Sequence, residues 1–281
     1  MEPLKLGVLG LDSTHFDAFY KIFSNNSSEI KIFYIQDNSE KVMIKRLEQF
    51  PELNQCTNNS RITECDCYMV LNRFGDAHLE SLERVASFNK PIFIDKPISD
   101  SINTTMAIVE MAKKYNTPIT SHSPLEFSKE LQKLNILIKD NLAENTQNTL
   151  IISGPLECND LGDDPRLKSP LFYGIHLSEM LSFFIQGRDY EISSSTSSFR
   201  SSIFIKIDKQ NFIIDLYPDG EEFYNLSNYN NKNGYVNFTI NLDGSYYSDF
   251  YKFLLSFFKG KVETNYALKS LEAMKIIDEV M

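Results

Sequence analysis

A chain of 281 residues with 42% hydrophobic content can bury a sizeable core, and its length fits two domains better than one. It carries 38 acidic against 28 basic side chains, a net charge of −10, with no basic cluster. That balance argues against nucleic acid and against an anionic membrane surface as partners. The first residues lack a basic leader followed by a long apolar run, and no segment approaches a membrane span, so a cytoplasmic location is expected.

Apolar runs predict strands at Lys5–Leu11, Glu29–Gln36, Cys67–Leu71, Pro91–Asp95 and Thr117–Ser121. Helical periodicity predicts helices between them at Phe16–Phe23, Glu40–Phe50, Asp76–Phe88 and Ile102–Tyr115. Such alternation implies right-handed crossovers and a doubly wound parallel sheet, an α/β domain over residues 1–121. From residue 122 the pattern changes to a linking helix at Leu125–Asn141, a strand at Thr149–Ser153 and a helix at Phe172–Ile185. Strands are expected at Ser202–Ile207, Phe212–Tyr217 and Tyr235–Ile240, with turns at Asp219-Gly220 and Asn233-Gly234. The Ser-rich Ser193–Ser202 reads as a polar strand on an open sheet, and helices at Ser248–Phe258 and Ala267–Val280 close the chain. The last helix is expected to pack back toward the first domain.

The stretch Gly10-Leu11-Asp12-Ser13-Thr14-His15 directly follows the first strand. A buried strand running into Gly, then a helix opened by hydroxyl residues, is how a dinucleotide-binding unit begins. Of the G-x-G-x-x-G fingerprint only the first Gly stands here; Asp12 and His15 occupy the other two places. A carboxylate at a helix N-terminus gains about 0.3–1 kcal/mol from the dipole, yet it contends with a phosphate for the same N–H groups. Ser13, Thr14 and the helix amides remain able to donate to phosphate oxygens. Asp37 ends the second strand, where it either accepts hydrogen bonds from an adenosine ribose or caps the next helix with Asn38 and Ser39. On the first alternative NAD(H) is favoured over NADP(H).

Asn72-Arg73-Phe74-Gly75 leads into a helix bearing His78, where a loop would cross the nicotinamide side of a bound cofactor. Asp95-Lys96-Pro97 closes the fourth strand at the carboxyl edge, where open α/β sheets place ligands. A partly desolvated Lys96 serves there as acid/base, or else it is a surface lysine paired with Asp95. In Tyr173-Gly174-Ile175-His176-Leu177-Ser178-Glu179, His176 and Glu179 share a helix face, so the carboxylate can orient the imidazole and Tyr173 can assist. Arg166 is a carboxylate-binding candidate or a surface charge, and His122 has a structural role or reaches the ligand cleft. Cys65-Asp66-Cys67 lacks a second Cys/His pair at ligand spacing, so Cys56, Cys65, Cys67 and Cys158 are expected to be structural and no metal is expected.

Together these segments resemble the glucose–fructose oxidoreductase/inositol dehydrogenase (Gfo/Idh/MocA) family. Leu6–Gly10 resembles its opening strand, and Asn72–His78 the segment ending in a helical His. Asn89-Lys90-Pro91 through Asp95-Lys96-Pro97-Ile98 resembles its K-P signature, with Asp for Glu, and Gly174-Ile175-His176 its G-x-H helix. The resemblance implies a Rossmann domain followed by an α+β domain (122–281) whose large open, mostly antiparallel sheet forms a homo-oligomer interface. It implies NAD(P)-dependent oxidation or reduction of a sugar, cyclitol or similar polyol, with Lys96 and His176 exchanging the hydroxyl proton. The cofactor-binding candidates are then Gly10, Asp12, Ser13, Thr14, His15, Asp37, Asn72, His78 and Lys96; the catalytic ones are Lys96, His176, Glu179 and Tyr173. The chain departs from the family at Asp12 and His15, and at Phe172, where the family carries Asp four residues before the histidine. Those departures keep a second reading open: a ligand-binding or regulatory relative that has lost redox chemistry.

Overall fold

The computed structural model describes residues 2–143, 147–156, 164–185, 187–218, 222–231, 234–262 and 267–281, without the side chains of 139–143. Cys158, Asp219-Gly220 and Asn233 lie outside the described residues. The chain forms two compact units, Met1–His122 with Phe250–Leu268, and Ser123–Asp249 with Lys269–Met281. No described helix is long and apolar enough to cross a membrane.

In the first unit β1 (Leu4–Leu9), β2 (Ile30–Gln36), β3 (Cys67–Val70), β4 (Ile92–Ile94) and β5 (Ile119–Thr120) form a parallel sheet in the order 2-1-3-4-5. Cys67–Leu71 and Ile92–Ile94 are wholly buried, as continuous apolar strands covered on both faces must be. The crossovers carry α1 (Thr14–Asn25), α2 (Glu40–Gln49), α3 (His78–Glu83) and α4 (Ile102–Tyr115). Phe250, from α7 (Tyr246–Phe258), packs its ring 5.7 Å from Phe19 and 5.5 Å from Phe93. The strand order reverses between β1 and β3, so the crevice outside their carboxyl ends is where this topology binds ligands. The helix expected over Asp76–Phe88 is shorter: a 3₁₀ turn at Gly75–Ala77 precedes α3, Val85 leaves helical geometry (φ −125°), and Asn89 ends the segment left-handed (φ 53°).

In the second unit β6 (Asn148–Pro155), β7 (Glu191–Ser197), β8 (Arg200–Ile207), β9 (Gln210–Tyr217), β10 (Asn225–Asn230) and β11 (Gly234–Thr239) form a sheet in the order 11-10-6-9-8-7. Its neighbours run antiparallel except β6 and β9. This is the large, mostly antiparallel sheet of the expected α+β class. The Ser-rich segment supplies β7 and the start of β8, with the edge strand β7 largely exposed. β10 (Asn-Leu-Ser-Asn-Tyr-Asn) has poor strand propensity; pairing with β6 on one side and β11 on the other overrides it. The linking helix is cut in two, a 3₁₀ turn at Pro124–Phe127 and α5 (Lys129–Ala143). Between them Ser128 is extended, and its Oγ accepts from Leu131 N to restart the helix. α6 (Gly174–Ile185) is buried along nearly its whole length, and α8 (Leu268–Asp278) closes the fold.

Candidate functional site

Gly10 turns the chain at the end of β1 with φ +81°, and a Cβ there would stand 2.4 Å from the amide nitrogen of Asn72, just past β3. Only glycine allows both the left-handed turn and that approach, which is why the first Gly of the fingerprint survives. Ser13 caps α1, its Oγ accepting from His15 N at 3.1 Å. Asp12 accepts from Arg73 N at 2.9 Å, so its carboxylate ties the β1–α1 loop to the β3–α3 loop across the crevice. Among the described residues it takes no hydrogen bond from the first turn of α1, and the competition for helix amides does not arise. Thr14 is exposed at the start of α1.

Asp37 holds the same loop from the second strand. One carboxylate oxygen accepts from Leu11 N at 2.7 Å and the other from Ser39 N at 2.8 Å, while the α2 cap itself is Ser39 Oγ. Sequence reasoning missed Arg46. This α2 side chain, 7% exposed, donates to Leu11 O at 2.7 Å and Ser13 O at 3.0 Å and pairs with Asp17 at 2.7 Å. Side chains thus do the fixing that close backbone packing does in a glycine-rich loop. The signal was indirect: a loop short of two glycines needs another source of rigidity.

His78 is fully enclosed, with Nε2 2.9 Å from Asn72 O and Nδ1 3.1 Å from Ile98 O. Its ring is spent on backbone, one contact being to Asn72, whose side chain accepts from Ser81 Oγ at 2.7 Å. Gly75 lies so close to the Ser99 backbone that a Cβ would meet its carbonyl carbon at 2.4 Å. The loops after β3 and β4 are therefore fastened to each other.

Asp95, 2% exposed, accepts from Lys96 N at 2.9 Å and meets His15 Nδ1 at 2.7 Å. Burial works against its ionisation, but His15, by charge and hydrogen bond, then Lys96 and His78, outweigh that and hold the carboxyl below its usual range. A depressed carboxylate contributes stability that is fully present above the ordinary carboxylate range and is lost as pH falls through the depressed value. His15→Ala is therefore expected to move the acid-unfolding midpoint, followed by circular dichroism, to higher pH. An unmoved midpoint would show that His15 does not stabilise the carboxylate. Lys96 is only 7% exposed, so it is not a surface lysine, and the Lys96–Pro97 peptide is cis.

In the second unit Gly174 opens α6. A Cβ there would lie 3.0 Å from Ile277 Cδ1 and 3.0 Å from Leu216 Cδ2, so this glycine serves close packing on α8 and β9. His176, 6% exposed, has Nδ1 2.6 Å from Ser123 Oγ and its ring edge-on to Tyr224 at 5.6 Å. Glu179 is buried (1%) one turn on, and Tyr173 meets Phe172 edge-to-face at 5.2 Å. Ser123 N donates to Glu126 Oε1 at 3.1 Å, and the other oxygen of Glu126 takes the Lys269 ammonium in a buried ion pair. Ser123, Glu126 and Lys269 were not foreseen, although Ser-x-x-Glu is a capping-box pattern. Arg166 pairs with Asp164 at 2.7 Å and is half-exposed, a surface charge. His122 packs edge-on to Phe253 at 4.7 Å in the first unit.

Cys56, Cys65 and Cys67 are buried free thiols; burial, then Asp66 and Glu64, push Cys65 up to about 12. Among the described residues no group of three or more His, Cys, Asp or Glu is placed to hold a metal ion.

No family model and no curated protein matches this sequence. Solved structures do match its fold. GenD2 from gentamicin A biosynthesis, in complex with NAD, aligns with TM-score 0.78 at 10% identity, covering 99% of this chain and 93% of its own. The dehydrogenase MviM from Clostridium difficile aligns at 0.73 and 13% identity, covering 99% and 98%. The WlbA (WbpB) dehydrogenase from Thermus thermophilus, in complex with NAD and UDP-GlcNAcA, aligns at 0.71 and 11%, covering 98% and 93%. At such identities the likeness is one of fold.

Proposed function

We infer, from a chain that carries the fold of Gfo/Idh/MocA-type dehydrogenases over nearly its whole length, that the protein is an NAD(H)-dependent oxidoreductase of small polyhydroxylated substrates. The observation that carries this reading is the engagement of Asp12 by Arg73 N, with Gly10 still making its turn and Ser13 its cap. A loop built that way fits a dinucleotide despite its missing glycines, because the α1 N-terminus is not occupied by the nearest carboxylate. Gly10–Thr14 and the start of α1 then hold the pyrophosphate and Asp37 the adenosine ribose. A carboxylate there also repels a 2′-phosphate, which favours NAD(H) over NADP(H).

The bound nicotinamide supplies hydride transfer. Lys96 exchanges the hydroxyl proton of the substrate, and His15, through Asp95, fixes the strand end that bears it. Asn72 and His78 shape the nicotinamide side. His176 addresses the substrate oxygen, flanked by Glu179 and Tyr173. On this reading residues 1–121 form the cofactor domain and 122–281 the substrate domain, with the second sheet as the surface of a homo-oligomer. The NAD of the GenD2 complex and the NAD and UDP-GlcNAcA of the WlbA complex support a nicotinamide cofactor and a sugar-like substrate.

The test is a panel of sugars and cyclitols with NAD⁺, and their carbonyl counterparts with NADH, read by nicotinamide absorbance. Turnover of at least one pair is expected. Nucleotide binding with no turnover in either direction would favour the ligand-binding or regulatory reading instead.

A further inference from the structure

We propose that a dinucleotide enters the first unit together with a proton, which His15 takes at Nε2 in order to bind the diphosphate. This coupling rests on the reading of that unit as a dinucleotide site; it needs no hydride transfer.

His15 stands where the fingerprint has its third glycine. β3 lies between β1 and β4 in the sheet, so a ring on the first turn of α1 that reaches Asp95, past the end of β4, crosses the carboxyl end of β3. That is the crevice in which this topology binds ligands. Nδ1 stands 2.7 Å from Asp95 Oδ2, and Phe19 meets the ring edge-to-face at 6.4 Å. The side chain keeps 19% of its surface exposed, and Nε2 has no hydrogen-bond partner among the described residues. One edge of the imidazole is built into the fold and the other is open.

Asp95 decides which nitrogen carries the proton of the neutral ring. Its Oδ1 accepts from Lys96 N at 2.9 Å, and an ionised carboxylate has nothing to donate, so Oδ2 requires Nδ1–H. A neutral ring held that way has a bare lone pair at Nε2. A phosphate oxygen at the opening of α1 is an acceptor too, and two acceptors repel. With a second proton, taken from solvent, the ring becomes an imidazolium, Nε2 donates, and the hydrogen bond is charge-assisted. Asp95 is the counter-charge of the cation so formed.

The other charged groups about this pair are already engaged. His78, from α3, meets backbone oxygens with both ring nitrogens, and Asp12, from the preceding loop, takes Arg73 N. Asp17, on the same helix, pairs with Arg46, and Lys96 follows Asp95 in a buried setting. Anion and proton therefore promote each other's binding at His15 by the same factor. Affinity is greatest where His15 is already protonated and falls as pH rises through its titration.

The test uses the full chain and ADP-ribose, which keeps the diphosphate and lacks the nicotinamide. Its phosphates are diesters that do not titrate near neutral pH, so a proton taken up belongs to the protein. Calorimetry at mildly alkaline pH, in two buffers of different ionisation heat, counts that uptake. It is expected to approach one proton per nucleotide and to disappear in His15→Gln, whose affinity should fall about 10–100-fold, the worth of a hydrogen bond to a charged group. Long-range ¹H–¹⁵N correlation on the wild-type chain gives a reading independent of the variant's folding. One of the four histidines should pass from Nδ1–H alone to protonation at both nitrogens as ADP-ribose is added. Binding without proton uptake, uptake that survives His15→Gln, or no binding of ADP-ribose overturns the proposal. Uptake as expected, with no turnover of any substrate pair, counts against the oxidoreductase reading alone. Turnover with pH-independent nucleotide binding overturns the coupling and leaves that reading standing.

Discussion

Lys96→Ala is expected to lower turnover by about 10²–10⁴-fold, the range a positioned general acid/base contributes. The lysine is buried at the end of β4, and its backbone N–H is fixed by a carboxylate that His15 holds in turn. The backbone from which the side chain departs is therefore held in place. Because the side chain acts on the proton in flight, the loss should fall on kcat while NADH affinity stays close to wild type. Unchanged kcat with a true substrate would remove Lys96 from the reaction.

Glu126→Gln should be the most damaging conservative substitution in the second unit, costing about 3–5 kcal/mol of stability. Gln can still accept from Ser123 N, so the capping geometry has a partner. What it cannot do is neutralise the ammonium of Lys269, whose side chain is 7% exposed and whose ion pair is with Glu126. A double variant, Glu126→Gln with Lys269→Met, should recover most of the loss, because two neutral groups of similar volume avoid the stranded charge. Urea midpoints at constant m-value measure both. A single-variant loss below about 1 kcal/mol, the scale of an exposed pair, would mean the pair is solvated in solution.

Periodicity was enough to read the alternation of the first unit, since strands buried on both faces are written as unbroken apolar runs such as Cys67–Leu71. It was not enough for β10, whose asparagines are recruited by strands on either side, nor for the break at Ser128, whose capping hydroxyl reads in sequence like any polar helix residue. Within each unit, residue types singled out the candidates: the loop, Asp37 and Lys96 in the first, His176 in the second. The partners that fix them stayed hidden because they come from distant segments: Arg46 lies 35 residues from Leu11 and Ser123 lies 53 from His176. Asp12 is the sharpest case. Its neighbours in sequence are helix amides, but the strand order sets the β3–α3 loop beside it, and Arg73 N takes the carboxylate.

That engagement of Asp12 underlies the claim that the first unit binds a nicotinamide dinucleotide, and a fluorescence titration tests it most directly. The chain contains no Trp, so NADH emission can be followed with little interference from the protein. Saturable enhancement with NADH, at lower concentrations than with NADPH, is predicted. No enhancement with either nucleotide up to millimolar concentration would contradict the account and show that Asp12 closes the site.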